Sequence, residues 1–183
     1  MLTKKSDISE LRPLTNTDLI RRFCVGLENL DQRLLQLTDE QLDTKFNAED
    51  GVGEWPCRVL MGHLADAEIA FVHRMRRIAA EERPLFAVWD ENEFITSGLY
   101  GTPGNTARFP ITDYVNTIDA VRKWTGTWLG TLPDSTFLRA GQHPERGEQT
   151  LRVVLEYATW HLEQHGWFLN QKIARLVHLN SRS

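Results

Sequence analysis

The sequence predicts an all-α fold, a four-helix bundle with two long connections. Three observations predict it. Four long stretches carry apolar residues every three or four positions, the repeat of one helix face. Clusters of Pro, Gly and Asp punctuate the chain between them. The chain has 183 residues, 41% hydrophobic and 25% charged, which is enough for one domain with a sizeable core. One domain over residues 1–183 is expected, with 1–13 and 177–183 poorly ordered.

The first helix is expected from Asp18 to Leu37. Leu19, Phe23, Leu27, Leu30, Leu34 and Leu37 form its seam, and Thr17 or Asp18 can cap its start. Thr38-Asp39-Glu40-Gln41 fits a capping box, which predicts a short turn of helix to Leu42. Phe46 to Glu54, with Asp50-Gly51 and Gly53, reads as a loop. A second long helix starts at Trp55-Pro56, where proline loses nothing in the first turn. It runs to about Glu82, before Pro84, and its seam is Leu60, His63, Ala67, Ala70, Arg74 and Ile78.

Residues 84–111 form a long connection rich in turn formers, among them Gly98, Gly101, Pro103-Gly104 and Pro110. Trp89 to Phe94 can form a short helix within it. A connection of this length inside a compact domain is more often functional than idle, and this one can wall off a pocket. The third helix is expected from Thr112-Asp113 to Leu132, with Pro133 ending it. Residues 134–149 read as a second loop. The fourth helix begins near Thr150 and reaches Leu176. Long connections permit crossovers, so a simple up-down-up-down order does not follow.

Composition narrows the function. The net charge is −4 and no basic block exceeds a pair, which argues against a nucleic-acid surface. No stretch is apolar enough to span a bilayer, and no apolar segment follows the basic N-terminus as a secretory signal requires. Two cysteines do not make a disulfide scaffold. A cytoplasmic protein is expected. Several apolar residues in the connections are compatible with a homodimer.

The chemistry lies in the histidines. His161 and His165 stand four residues apart on the inward face of the fourth helix, so their rings project together about 6 Å apart. His63 faces inward from the second helix. Buried imidazoles need hydrogen-bond partners or a metal. Three neutral nitrogens suit one divalent ion, Zn²⁺ or Ni²⁺ first, Fe²⁺ or Mn²⁺ with extra waters, and leave a position open. The zincin pattern is absent, because Leu162 rather than Glu follows His161. The Glu-x-x-His of di-iron bundles is absent too: Ala158 and Leu162 occupy those positions.

Trp55-Pro56, then Gly62-His63-Leu64-Ala65-Asp66-Ala67-Glu68, the Trp89–Phe94 segment, Thr150-Leu151 and His161-Leu162-Glu163-Gln164-His165 together resemble the DinB/YfiT-like superfamily. The resemblance covers about Leu14 to Leu176. It implies a metal-binding four-helix bundle of unusual connectivity, with His63, His161 and His165 as the ligands of one divalent metal. Members include low-molecular-weight-thiol S-transferases, thiol-dependent isomerases and proteins called metal-dependent hydrolases, and the resemblance does not choose among them.

The expected function is therefore a mononuclear metal-dependent enzyme acting on a small molecule. The attack would come from metal-bound water, as in a hydrolase, or from a metal-bound low-molecular-weight thiol, as in an S-transferase. The alternatives are a non-catalytic stress or interaction protein whose metal is structural, closed by a carboxylate from residues 89–94, and a metal-free bundle whose histidines bond to Glu or backbone.

Other residues are weaker candidates. Asp90 and Glu93 are solvated loop charges or, if the loop caps the site, a general base. Asp66 is a surface carboxylate or takes the free ring N–H of a ligand, and Glu68 follows it closely. Trp160 and Trp167 read as packing. His73, His143 and His178 are expected to be exposed. Cys57 is a packed cysteine, or a thiol activated by the helix N-terminus. Arg74 faces inward and needs an anion, either a carboxylate of a neighbouring helix or one carried by a substrate.

Overall fold

A computed structural model describes residues 4–101 and 108–180. Among the described residues there are six α-helices and one hairpin, besides short 3₁₀ turns: α1 (Asn16–Cys24), α2 (Asp39–Leu42), α3 (Cys57–Ala80), α4 (Glu91–Thr96), α5 (Ile111–Leu129), β1 (Ala140–His143), β2 (Gly147–Thr150) and α6 (Leu151–Asn180). The four bundle helices are α1, α3, α5 and α6. Both α1 and α3 pack on α5 and on α6, so α1 and α3 sit diagonally.

Two hydrophobic clusters give the helix directions. One gathers Phe23, Phe71, Met75, Leu129, Leu151 and Leu155. The other gathers Leu34, Leu60, Leu64, Ile118, Leu162 and Leu169. The chain passes from the first to the second along α1 and α6, and from the second to the first along α3 and α5. The order is up-down-down-up, with α3 and α5 as parallel neighbours. A parallel pair needs a crossover the length of the bundle, and residues 81–101 and 108–110 are its described part.

This crossover runs back along α3. Phe86 is buried in the first cluster. Arg74 donates to the Ala87 carbonyl at 3.2 Å, and Trp89 stacks on His63 at 5.6 Å between ring centroids. Tyr100 donates its hydroxyl to Asp66 at 2.7 Å. The buried Arg58, held by Asp39 and Asp43, donates to Phe109 O at 2.7 Å. Gly62 permits this path: a Cβ there would collide with the Tyr100 ring.

The first predicted helix is broken. It is α-helical only to Cys24 and continues as 3₁₀ turns at Gly26–Asn29 and Gln32–Gln36. The cause is tertiary. Arg122 donates to Phe23 O, Asn170 donates to Asn29 O, and the Asp31 N–H donates to Asn170 Oδ1 at 2.8 Å. These side chains give the backbone partners that an unbroken helix would have supplied.

The loop read at 134–149 contains a 3₁₀ turn at Asp134–Leu138 and an antiparallel hairpin, Ala140 opposite Thr150 and His143 opposite Gly147. Its strands are polar and poor in β-branched residues. They are held by Gly147 at φ +74° and by the crossover, where the Phe86 N–H donates to Gln142 O and the Gln142 N–H to Pro84 O.

The remaining boundaries agree within four residues. The Thr38–Gln41 capping box is present, and the short helix in the crossover is α4. Residues 4–13 pack instead of trailing: Ile8–Glu10 is a 3₁₀ turn, Leu11 is fully buried, and Ser6 donates to the buried Glu163 at 2.6 Å. At the other end α6 runs to Asn180. The expected disorder at 1–3 and 181–183, and the turn at Pro103-Gly104, lie outside the described residues. Among those described, no helix is long and apolar enough to cross a membrane.

Candidate metal centre

The junction between the two clusters is polar. Arg122 of α5 and Glu68 of α3 are both fully buried and form an ion pair there. Arg122 also donates to Phe23 O at 2.7 Å and to Ala158 O at 2.8 Å, joining all four helices at one level. Burial raises the Glu68 carboxyl above its ordinary range, and Arg122 opposes that rise.

The three inward histidines sit at this level. One ring nitrogen from each of His63, His161 and His165 lies within 4.8 Å of the other two. His63 Nε2 and His161 Nε2 are 3.2 Å apart. Two ligands around a tetrahedral ion with 2.0–2.1 Å bonds stand about 3.3 Å from each other, so this pair already has a coordination spacing. The His161 and His165 centroids are 4.5 Å apart, as the one-turn repeat requires.

Burial keeps these rings neutral. It lowers His63 and His165 to about 4 and His161 well below its ordinary value, and the neighbouring rings add to the effect on His161 and His165. Neutral imidazole is the form that ligates metal. Among the described residues no carboxylate or backbone group hydrogen-bonds to any of the three, and Nδ1 of both His63 and His161 is buried without a partner. The metal-free reading, with the rings satisfied by Glu or backbone, is therefore not what the structure has. The donor set fits a divalent ion. Trp55, Phe71, Trp89 and Tyr157 enclose the rings, each with its centroid 5.2 to 6.4 Å from a histidine centroid.

Two cavities reach the cluster from different sides. One, of about 130 Å³, touches His63 and His161 and is lined by Arg74, His143 and Arg146. The other, of about 320 Å³, touches His165 and is lined chiefly by Val52, Trp55, Leu60, Phe168 and Lys172. Lys172 is buried, donates to Gly53 O at 2.5 Å, and is lowered by burial to about 8.

The structure places the remaining candidates, in agreement with some expectations and against others. Asp90 and Glu93 are not in the ligand group. The Asp90 carboxylate caps α4 and Glu93 is exposed, whereas their neighbour Glu91 lines the smaller cavity. Asp66 is half-buried and accepts from the Tyr100 hydroxyl, with no hydrogen bond to a ring N–H. His143 was expected to be exposed and is buried; its hairpin folds it against the first cavity. His73 and His178 are exposed. Cys57 is packed, and burial pushes its thiol up to about 12, opposite to activation. Trp160 packs, with Nε1 donating to Ser6 O, and Trp167 lies edge-on to Phe168. Arg74 has no carboxylate within ion-pair distance among the described residues, so the pairing with a neighbouring helix does not occur. Arg146 and Tyr157 were missed, and only the hairpin's placement reveals Arg146.

The comparisons agree with this architecture. The family profile described as the DinB superfamily matches residues 25–169. The chain is 27% identical over 136 residues to the Oceanobacillus iheyensis protein named "Putative metal-dependent hydrolase OB0782", covering 74% of this chain and 73% of that one. It is 29% identical over 157 residues to the Bacillus subtilis "Putative metal-dependent hydrolase YfiT", covering 84% and 77%. The solved structure of YfiT, described as having an unusual four-helix bundle topology, superposes with a TM-score of 0.74 at 21% identity over 99% of this chain and 94% of that one. Fold, converging histidines and profile lead to one assignment: the chain belongs to the DinB superfamily.

Proposed function

We propose that the protein is a metal-dependent hydrolase of a small molecule, with His63, His161 and His165 holding one Zn²⁺ or Ni²⁺ ion. The observation that carries this reading is the open donor set: three inward imidazoles converge, no carboxylate among the described residues joins them, and His63 and His161 face one cavity while His165 faces another. A structural metal would be closed by a fourth protein ligand. The names of the relatives from Oceanobacillus and Bacillus support the same class.

When bound, a divalent ion supplies Lewis-acid polarisation and an activated water. The chain's own residues prepare the rest. Burial keeps the ligands deprotonated near neutral pH. Trp55, Phe71, Trp89 and Tyr157 exclude bulk water and lower the local dielectric, which strengthens every charge interaction there. Glu91 and Glu145, on the smaller cavity, are the carboxylates that could accept a proton from a reacting group.

Elemental analysis tests the ligand set. The wild-type chain should carry one equivalent of metal and hydrolyse members of an ester and amide panel. His161→Ala should lose both properties while remaining helical by circular dichroism. Stoichiometric metal in that variant would refute the assignment. The two separate cavities favour one second reading, transfer of a low-molecular-weight thiol to an electrophile, because that reaction needs two substrate sites. Turnover of a thiol with an electrophile, with none of the ester and amide panel, would select it.

A further inference from the structure

The smaller cavity holds two arginines that the three histidines do not require, one of them buried without a carboxylate partner among the described residues. Arg74 is 9% exposed. It donates once, to Ala87 O, and packs against the Phe71 and Phe86 rings at 5.9 and 5.8 Å. The rest of its guanidinium meets no acceptor among the described residues. Arg146, itself exposed, reaches the same cavity from the hairpin, 4.7 Å over the Tyr157 ring, and also has no ion-pair partner among them. The two cations feel each other: burial first, then Arg146, lowers Arg74. His143 is buried beside them. Its Nδ1 accepts from the N–H groups of Glu145 and Arg146 at 3.2 and 3.3 Å, so the neutral ring carries its proton on Nε2. Glu91 and Glu145 also line the cavity, but both are exposed and neither pairs with an arginine.

A buried arginine without a counter-anion is unfavourable unless an anion arrives, and a guanidinium fork matches a carboxylate in two parallel hydrogen bonds. We propose that Arg74, Arg146 and His143 form the subsite for a carboxylate group of the substrate, placing that substrate's reacting bond beside the three histidines. The subsite rests on the metal-hydrolase reading for its role, though its chemistry is separate. About 130 Å³ is the liquid volume of roughly four waters, which holds the carboxylate end of a molecule. Phe71 and Tyr157 flank the apolar part next to it.

The test uses benzoate, with benzamide as its uncharged counterpart and inorganic phosphate as a second anion. Each is titrated calorimetrically into the metal-loaded wild type, and metal content is measured on every sample. Benzoate should bind more tightly than benzamide or phosphate. Arg74→Met and Arg146→Met should each weaken it about 10- to 100-fold with metal content unchanged, and Arg74→Lys should fall between if Arg74→Met is poorly folded. Equal benzoate affinity in the wild type and the arginine variants, no benzoate binding at all, or tighter binding of phosphate would each overturn the subsite. A wild type without metal would sink the hydrolase reading alone, and the benzoate titrations would still judge the subsite.

Discussion

The three imidazoles make the metal-free protein acid-sensitive, and the sign follows from burial. His63 and His165 titrate near 4 when folded and near 6.5 when unfolded. Between those values the unfolded chain binds protons that the folded chain refuses, so stability falls as the pH drops from about 6.5 toward 4. Each ring contributes a slope of up to about 1.4 kcal/mol per pH unit. Denaturant midpoints of the chelated protein should therefore be lower at pH 5 than at pH 7, and His165→Gln should flatten the difference; an unchanged slope would show that ring to be solvated. At this scale the sequence was informative where helical phase applies. The inward histidines and Arg74 follow from a repeat of 3.6 residues. His143 and Arg146 do not, because they sit on a hairpin that no hydrophobic repeat announces, and Arg74's missing carboxylate depends on what other elements fail to bring.

Among the elements, the crossover carries the most consequence. It seats Tyr100 on Gly62, and an alanine there would strike the ring. Gly62→Ala should destabilise the protein by about 1–3 kcal/mol, despite the intrinsic preference of a helix for alanine. In a Tyr100→Ala background the same change should be neutral or stabilising, and a double-mutant cycle in urea measures the coupling. An additive result would remove the close approach as the reason for glycine. Three long helices were legible because each carries its own seam and ends at a proline or a polar turn. The first was legible only in part. Its leucines keep the helical interval to Leu37, yet Asn170, some 140 positions along the chain, engages the backbone at 29 and 31, and no local signal records that.

At the scale of the whole molecule, the two hydrophobic clusters meet at a charged level where Arg122 touches all four bundle helices. Removing one member of such a pair strands the other. Arg122→Met should cost about 3–5 kcal/mol at pH 7, and less at pH 5, where the stranded Glu68 takes up a proton. A loss independent of pH would indicate packing as the cause. The proposed ion joins α3 to α6 at the same level. Saturation at about 100 times its dissociation constant would add about 2.7 kcal/mol, so chelation should lower the melting temperature by about 5–10 °C, read by calorimetry. The direction of the helices has a further effect, on the timing of synthesis. His63 and His161 are separated by 98 positions, and at 5–20 residues per second the ribosome needs roughly 5–20 s to make that interval. A nascent chain exposes one imidazole long before its two companions emerge, so the three rings can converge only after the α6 stretch that carries the other two has been made.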